Sequence, residues 1–213
     1  MGSVSLELSM TKGRDSSMQQ RAIETRNAVI VGASKVFEAN GYGDASLSQI
    51  ATKSKVTKGA LYFHFKSKEE IALAVIEAQH ERSRLGGEKV LKKGMTGLPA
   101  MQELCRVFGK QLLKDSVIRA GIRLTFEASA FDADVTGPYQ DWIDTMTVLG
   151  LQAQQLGQIR TEVNVPDFAR CLVASFTGVQ MVSNVMTARK DVLERIEQMW
   201  DFFLPGLVPA AQG

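Results

Sequence analysis

The segment at residues 46–65 reads SLSQIATKSKVTKGALYFHF and contains two short helical patterns. Ser46 is followed three residues later by Gln49, which is the spacing of a capping box, so a helix should begin near residue 46. A polar break follows and ends at Thr57, whose hydroxyl can cap a further helix that runs through Phe63. Two short helices joined by a tight turn are typical of a helix-turn-helix, which we place at residues 46–65.

The apolar residues of this segment predict how its two helices cross. Ile50, Val56 and Leu61 are apolar and Ala51 is small, so the first helix can pack closely across the second at a steep angle. The second helix would then project small and polar residues outward, in a cylinder that fits the major groove of DNA. The residues that we expect to contact DNA are Lys55, Thr57, Lys58, Gly59, Tyr62, His64 and Lys68.

Each of these residue types has a physical reason to lie against a duplex. Lys58 can reach a guanine edge or a phosphate, and Gly59 lets the DNA backbone come close. Thr57 and Tyr62 can donate to phosphate oxygens, and Lys68 can do so from the start of the next helix. A plain three-helix subdomain without a ligand is the alternative at this point.

The charge distribution agrees with a polyanionic partner at one end of the chain. Residues 10–68 carry ten Lys and Arg against four Asp and Glu, a net charge of +6. Because the whole chain carries only +2, the remainder sums to −4. A basic first third favours nucleic acid as a partner, although a solvated basic face has the same composition.

The rest of the chain is read as helices. Residues 1–18 lack periodicity and are interpreted as a flexible tail, and a helix from Gln20 should end at Asn40-Gly41. A second capping box at residues 67–70 should open a long helix to about Lys92. No sustained alternation with period two occurs, so the fold class is all-α. Further helices are predicted at residues 99–114, 116–130, 137–157, 166–188 and 190–204.

Composition excludes several function classes. The chain has 213 residues with 45% hydrophobic and 23% charged, which is ordinary for a globular protein. Cys105 and Cys171 form no CxxC pair and only two histidines occur, so we expect no metal and no cofactor. The absence of an apolar run long enough for a membrane or of a secretory leader predicts a cytoplasmic protein that makes no membrane contact.

An enzyme is the second function class and is not favoured. The sequence contains no GxSxG motif, no P-loop and no carboxylate pair at a telling spacing. A cysteine with His80 as base would lack an orienting partner, so we predict no catalytic residues. A third class, a ligand-free DNA-architectural protein, conflicts with the large apolar second half of the chain.

Residues 22–70 resemble the DNA-binding domain of the TetR family of repressors. The string VTKGALYFHF at 56–65 followed by KSKEE at 66–70 is close to that family's signature. The resemblance implies a helix-turn-helix domain at 19–68 and a helical ligand-binding and dimerisation domain at 69–213. Lys55 stands where the family usually has glycine, so a left-handed residue there would cost about 1 kcal/mol.

The second half resembles, more faintly, the γ-butyrolactone autoregulator receptors of the same family. The segments GALYFHF at 59–65 and VIRAGIRL at 117–124, together with Trp142 and Met199-Trp200, carry this resemblance. It implies a pocket in which Trp142 covers a lactone or furan ring while Gln79 and Thr177 hydrogen-bond its oxygens. Arg123 could pair with a carboxylate on the ligand, and apolar side chains would take an alkyl tail. The ligand-binding residues expected are Gln79, Trp142, Thr177, Phe126, Met146 and Arg123.

The resemblance also implies assembly and regulation. The last two helices would build a four-helix interface in a homodimer, since their apolar faces recur at helical spacing; burial of both faces within one chain is the alternative. The expected protein is a repressor that binds a palindromic DNA operator and is released by a lactone, butenolide or furan signal, controlling antibiotic biosynthesis. A pseudo-receptor that senses an antibiotic or an intermediate is the alternative within this class.

Overall fold

The computed structural model describes residues 3–131 and 134–209, with the side chains of α1 described from residue 18 onward. Within those residues the chain is all-α, as predicted, and contains no strand. A short 3-10 helix, Ala128–Phe131, follows the sixth helix. The helices are α1 Ser3–Asp44, α2 Leu47–Ser54, α3 Lys58–His64, α4 Lys68–Leu91, α5 Gly97–Lys114, α6 Ser116–Phe126, α7 Gly137–Gln155, α8 Val165–Thr187 and α9 Val192–Leu207.

The helix boundaries follow the local signals in the sequence to within about three residues, except at α1 and α6. The predicted end at Asn40-Gly41 is a break inside α1, where Gly41 has φ 76°. α1 begins at Ser3, inside the stretch 1–18 that the sequence predicted to be a tail; the side chains through residue 17 lie outside the described residues. α6 ends at Phe126 instead of residue 130, because the backbone tightens into the 3-10 helix.

The chain divides into two compact units. The first unit comprises residues 1–78 and 119–132, and the second comprises residues 79–118 and 133–213. The sequence placed one boundary after residue 68 and assigned residues 119–132 to the second domain. Those residues group with the first unit because Arg119 and Arg123 hydrogen-bond to Glu38 of α1.

The first unit is held together by a close approach of α1 and α2. A Cβ built on Gly32 would lie 2.1 Å from the Ser54 Oγ, so only glycine fits there. Ser54 is itself buried and donates to the carbonyl of Ile50 at 2.7 Å, which satisfies its hydroxyl inside the core. The largest buried apolar side chains of this unit are Phe37, Ile50, Leu61, Phe65, Ile71 and Leu124.

The second unit packs α5, α7, α8 and α9 around an aromatic core. Cβ atoms built on Gly109 and Gly150 would lie 2.6 Å from Ile196 and Val165 respectively, so both glycines permit close helix packing. Phe108, Trp142 and Phe176 form one ring cluster, with Phe108 and Phe176 stacked at 5.4 Å. Buried apolar side chains in this unit are Met101, Leu104, Leu112, Met146, Leu172, Ile196 and Trp200.

The apolar faces of α8 and α9 point differently from the prediction. The residues expected at a dimer interface are mostly buried in the chain itself, including Phe168, Leu172, Phe176, Ile196 and Trp200. For these residues the alternative prediction, burial within a single chain, is therefore the correct one. The large apolar side chains left exposed on α8 and α9 are Met181, Val182, Val185, Met186 and Phe202.

Among the described residues, no helix combines the length and the apolar character of a membrane span.

Candidate nucleic-acid interface and ligand cavity

The helix-turn-helix of the first unit is fixed by side-chain caps. Ser46 accepts the backbone N–H of Gln49 at 3.2 Å, and the Gln49 side chain accepts that of Ser46 at 2.8 Å, so the predicted capping box is present. Thr57 accepts the N–H of Ala60 at 3.1 Å and caps α3. Between them Lys55 is left-handed, with φ 57° and ψ 37°, as the departure from glycine predicted. These bonds set the angle at which α3 leaves the turn.

α3 buries one side and exposes the other. Leu61 is 1% exposed and anchors the helix to the core. Five of the residues predicted to contact DNA are exposed, namely Lys55, Thr57, Lys58, Gly59 and Tyr62, while His64 is half-buried. Their contacts with DNA stay a prediction, and their exposure leaves these positions accessible to a partner.

Lys68 has a different role from the phosphate contact that the sequence predicted. Its Nζ donates to the carbonyl oxygens of Tyr42, Gly43 and Ala45 at 2.7, 3.1 and 3.0 Å. It also lies 4.4 Å from the ring centroid of Tyr42. An ammonium group has three hydrogens to donate, and all three are matched inside the chain. Lys68 therefore closes the carboxyl end of α1, where helix carbonyls attract a cation.

The capping box predicted at the start of α4 is present in altered form. Ser67 accepts the N–H of Glu70 at 3.1 Å, as expected. The Glu70 carboxylate accepts the N–H of Lys66 at 2.7 Å, one residue before the position a capping box requires. The start of α4 is thus fixed directly after the end of α3.

Phe63 is the residue of this surface that sequence reasoning missed. It was assigned only as the last residue of a helix, whereas its side chain is 81% exposed. The signal was its position two residues after the buried Leu61, which in a helix places it on the far side.

Arg123 and Phe126 were predicted to bind ligand, but the structure places them in the first unit. The Arg123 guanidinium donates to the Glu127 carboxylate and to the Glu38 carbonyl, both at 2.8 Å. Arg119 pairs with the Glu38 carboxylate at 2.5 Å. Both guanidinium groups are paired within the chain, so neither requires a carboxylate on a ligand. Phe126 is 48% exposed and does not line the cavity of the second unit.

A cavity of about 420 Å³ lies in the second unit between α4, α5 and α7. Both Gln79 and Trp142 line it, so the structure brings together two residues that the sequence singled out for a pocket. Its apolar lining includes Leu91, Leu104, Val107, Phe108 and Pro138. Its polar lining includes His80, Ser83, Arg84, Glu88, Gln111, Asp141, Asp144 and Thr145.

Gln79 and Trp142 are held in place by their neighbours. Gln79 is 6% exposed, and its side-chain amide donates to the Ser83 hydroxyl at 3.0 Å. The Trp142 ring stands edge-on to Phe108 and Phe176, with ring centroids 4.8 Å away in each case. Edge-to-face contacts of this kind stabilise a fixed ring orientation, so Trp142 presents a rigid wall to the cavity.

Thr177 and Met146 were also predicted to bind ligand, and neither lines the cavity. Met146 is fully buried in the core of the second unit. Thr177 is half-buried on α8, one residue after the core residue Phe176. The family resemblance implied a place in the pocket for these residues, but α7 and α8 turn their side chains away from this cavity.

Charged groups border the cavity on α4 and α7. His80 Nε2 lies 3.1 Å from the Asp141 carboxylate, which joins the two helices. Arg84 pairs with Glu81 and Glu88 on its own helix. The hydrogen bond to Arg84 lowers the pKa of Glu81, and the same bond raises the pKa of Arg84. The lining of the cavity thus combines apolar side chains with polar and charged ones.

Two glycines of α4 let α5 approach beside the cavity. A Cβ built on Gly86 would lie 2.5 Å from the Gln111 amide nitrogen, and one on Gly87 would lie 3.1 Å from Leu104. The Gln111 amide donates to the Arg82 carbonyl at 2.9 Å, which holds it in that position. Glycine at both positions therefore sets the spacing of the cavity wall.

Comparison with known proteins identifies the family. Residues 29–75 match the model of bacterial regulatory proteins of the tetR family. Residues 95–209 match the model of the tetracyclin repressor-like C-terminal domain, which is more than half of the chain. The chain belongs to the TetR family. Members of this family are DNA-binding transcription regulators, which confirms the resemblance seen at residues 22–70.

Relatives within the TetR family share most of the chain. The A-factor receptor protein of Streptomyces griseus is 34% identical over 89% of this chain, which spans 66% of that receptor's length. A solved structure described as the molecular basis for control of antibiotic production by bacterial hormones has a TM-score of 0.80 and 36% identity, over 87% of this chain and 98% of that one. A γ-butyrolactone receptor structure has a TM-score of 0.75 and 31% identity, covering 89% and 91% respectively. The chain is therefore closely related to the γ-butyrolactone receptors.

Proposed function

We propose that this TetR-family protein is a repressor that binds a palindromic operator as a homodimer and is released by a small γ-butyrolactone, butenolide or furan. It would control antibiotic biosynthesis genes, act in the cytoplasm and have no catalytic activity. The observation that carries the proposal is the cavity in which Gln79 and Trp142 meet. The relationship to γ-butyrolactone receptors supports the ligand class.

The size and lining of the cavity support a small ligand with an apolar tail. Pockets for such ligands hold about 300–1,000 Å³ and combine apolar walls with a few polar groups. The flat indole of Trp142 would cover a five-membered ring, and the Gln79 amide would hydrogen-bond a ring oxygen. Leu91, Leu104 and Val107 would enclose an alkyl chain. Thr177, Phe126, Met146 and Arg123 have no part in this binding mode.

The exposed face of the helix-turn-helix supports the DNA-binding part of the proposal. Lys55 and Lys58 would contact phosphates or a guanine edge, and Thr57 and Tyr62 would donate to phosphate oxygens. Gly59 would let the DNA backbone approach closely. His64 is half-buried and would contact DNA only through the exposed part of its ring.

The exposed apolar side chains of α8 and α9 support the dimer. Val182, Val185 and Met186 lie at helical spacing on one face of α8, with exposures of 62, 81 and 75%. Phe202 of α9 is 86% exposed. Pairing these residues with their copies would remove a large apolar surface from water. A two-fold dimer would then present two α3 helices to half-sites roughly 34–36 Å apart.

Release would be transmitted by α4. This helix runs unbroken from Lys68, next to α3, to Leu91 at the cavity wall. A ligand that moves the cavity end of α4 would change the separation of the two recognition helices beyond the groove spacing. A coupling free energy of about 1–3 kcal/mol changes DNA affinity about 5–150-fold.

The test combines tryptophan fluorescence with a gel shift. Trp142 and Trp200 are the two tryptophans of the chain, and Trp200 is buried in the core, so a Trp142→Phe variant isolates the cavity signal. Titration with a series of 2-alkyl-γ-butyrolactones should change the fluorescence of the wild type but not of Trp142→Phe. The same lactones should release the wild type from a duplex selected from a random pool. Saturating lactone without release, or no fluorescence change across the series, would contradict the proposal.

A pseudo-receptor that senses an antibiotic or a biosynthetic intermediate is the second candidate. The polar part of the cavity lining, which includes His80, Arg84 and Asp141, favours it because a larger polar ligand would find partners there. Mass spectrometry of small molecules that co-purify with the protein distinguishes the two. A lactone or furan supports the first candidate and a larger polar compound supports the second.

A further inference from the structure

Phe63 occupies the centre of the outward face of α3. Helix geometry rotates successive residues by about 100°, which places Gly59 and Phe63 on the side directly opposite Leu61. Leu61 is 1% exposed and Phe63 is 81% exposed, so burial agrees with this geometry. Tyr62 stands to one side of this line and is 53% exposed. A residue at the centre of the outward face is the one that enters deepest into a groove.

The surroundings of Phe63 are basic. Lys55, Lys58 and Lys66 are all exposed around α3. Single exposed apolar side chains are common and need no partner. An exposed ring in a segment with three exposed lysines is different, because the positive charge selects a polyanion as the surface it will meet. The partner that fits this face is duplex DNA.

Gly59 leaves room beside the Phe63 ring. A Cβ built on Gly59 would have a single neighbour within 4 Å, the Thr57 Oγ1 at 4.0 Å, so packing inside the chain does not require glycine there. Glycine in a helix costs about 1 kcal/mol relative to alanine. The absence of a side chain at Gly59, one turn before Phe63, therefore leaves room for a partner molecule to approach α3 from outside the chain.

The Phe63 ring is also oriented by its neighbour. It stands edge-on to the His64 ring, with centroids 5.1 Å apart and an interplanar angle of 87°. Contacts of this geometry are favourable because the ring edge is positive and the ring face is negative. The phenyl group is therefore presented outward in a preferred orientation.

We propose that Phe63 recognises thymine in the operator through contact with its 5-methyl group. A phenyl ring has no hydrogen-bond donor or acceptor, so it gains nothing from phosphates or from polar base edges. The thymine 5-methyl is the apolar group that base pairs display in the major groove. Phe63 thus adds sequence specificity to a surface whose lysines supply affinity for any duplex. This inference rests on the DNA-binding part of the proposed function.

The experiment removes methyl groups from DNA and the ring from the protein. Duplexes are first selected from a random pool with the wild-type protein. Each thymine of the selected duplex is then replaced in turn by deoxyuridine, which differs by that methyl alone. Burying a methyl group changes affinity about fourfold. One symmetry-related thymine in each half-site should therefore show a loss of about fourfold.

Phe63→Ala should bind more weakly and show the same affinity for the thymine and deoxyuridine duplexes. Phe63→Leu keeps an apolar side chain and should retain part of the thymine preference. Ile23→Ala is the matched control, because Ile23 of α1 is 49% exposed and lies outside the proposed surface; it should keep the full preference.

Two outcomes overturn the inference and are distinguishable. If the wild type selects a duplex but no deoxyuridine replacement weakens binding, or Phe63→Ala keeps the preference, Phe63 does not recognise thymine while DNA binding stands. If the wild type selects no duplex, the proposed function fails as well.

Discussion

The Glu127 carboxylate accepts the backbone N–H of Tyr42, a residue 85 positions earlier in the chain. This bond lies directly after Gly41, whose φ of 76° breaks α1. Arg123 pairs with the same carboxylate and donates to the carbonyl of Glu38 in the last turn before the break. The break inside α1 is therefore held by side chains of residues 123–127, which explains why that segment belongs to the first unit.

Gly41→Ala should strongly destabilise the protein. The φ and ψ of Gly41, 76° and −178°, lie in a region that is essentially restricted to glycine and costs other residues about 1–3 kcal/mol. The added Cβ would also lie 2.6 Å from the Arg123 guanidinium and 2.9 Å from the Glu127 carboxylate. We expect a loss of at least about 2 kcal/mol in the free energy of unfolding, measured by urea denaturation.

Gly43→Ala is the matched control for that experiment. A Cβ on Gly43 would meet no atom within 4 Å, and its φ is not positive. Its unfolding midpoint should stay close to that of the wild type. Equal midpoints for the two variants would show that the conformation at Gly41 is not required.

Lys55→Gly should stabilise the helix-turn-helix. Lys55 is left-handed with φ 57°, a conformation that costs a lysine about 1 kcal/mol and glycine almost nothing. The gain should appear as a rise of up to about 1 kcal/mol in the free energy of unfolding, reduced by the greater freedom of glycine in the unfolded chain. Lys55→Ala removes the same charge but keeps the strain, so it should match the wild type. If the free energy of unfolding rose in both variants, the cause would be the loss of the lysine charge and not the relief of the left-handed backbone.

Lys68→Met and Lys58→Met should separate stability from DNA binding. Lys68 satisfies three backbone carbonyl oxygens, so removing its ammonium should cost about 1–3 kcal/mol in the free energy of unfolding. The salt dependence of DNA affinity should not change. Lys58 is exposed, so its variant should keep its stability while the salt dependence falls by about one counterion per protomer. If Lys68→Met instead kept its stability and lowered the salt dependence of DNA affinity, Lys68 would belong to the DNA-binding surface.

The Cys105 thiol should be inert in the folded protein. Burial raises the pKa of Cys105 to about 12, and its side chain is fully buried in the core of the second unit. Since the thiolate is the reactive form, a Cys171→Ser variant should show no fast reaction with a thiol reagent at pH 8. Unfolding in guanidinium chloride should release one reactive thiol. Rapid labelling of the native variant would contradict the burial of Cys105.

Features that depend on residues close together in sequence could be predicted. The caps at Ser46 and Thr57 each involve groups within a few residues, so the sequence specifies them directly. The left-handed Lys55 was indicated by the glycine that the family usually has at this position. Features that depend on distant residues could not. The acceptors of Lys68 lie 23–26 positions earlier, and no local pattern shows that its ammonium is already used.

The candidate cavity shows the same limit. Gln79 and Trp142 were identified through the family resemblance and do line one cavity, whereas Arg123, Phe126, Met146 and Thr177 do not. Periodicity shows that a helix has an apolar face but not which neighbour covers it. On α8 and α9 large apolar side chains such as Phe176 and Trp200 are buried in the core of the second unit. Other apolar side chains of α8, such as Val185 and Met186, are exposed.

The paired glycines at the cavity wall also bear on how ligand preference can diverge among related receptors. Gly87 lies among the lining residues, and a Cβ added there would lie 3.1 Å from Leu104, so a methyl group at this position would narrow the cavity. Alanine would also favour the helix by about 1 kcal/mol. Under the proposed function, a change of one codon at this position would shorten the preferred alkyl tail, while Gln79 and Trp142, which would bind the ring, stay unchanged.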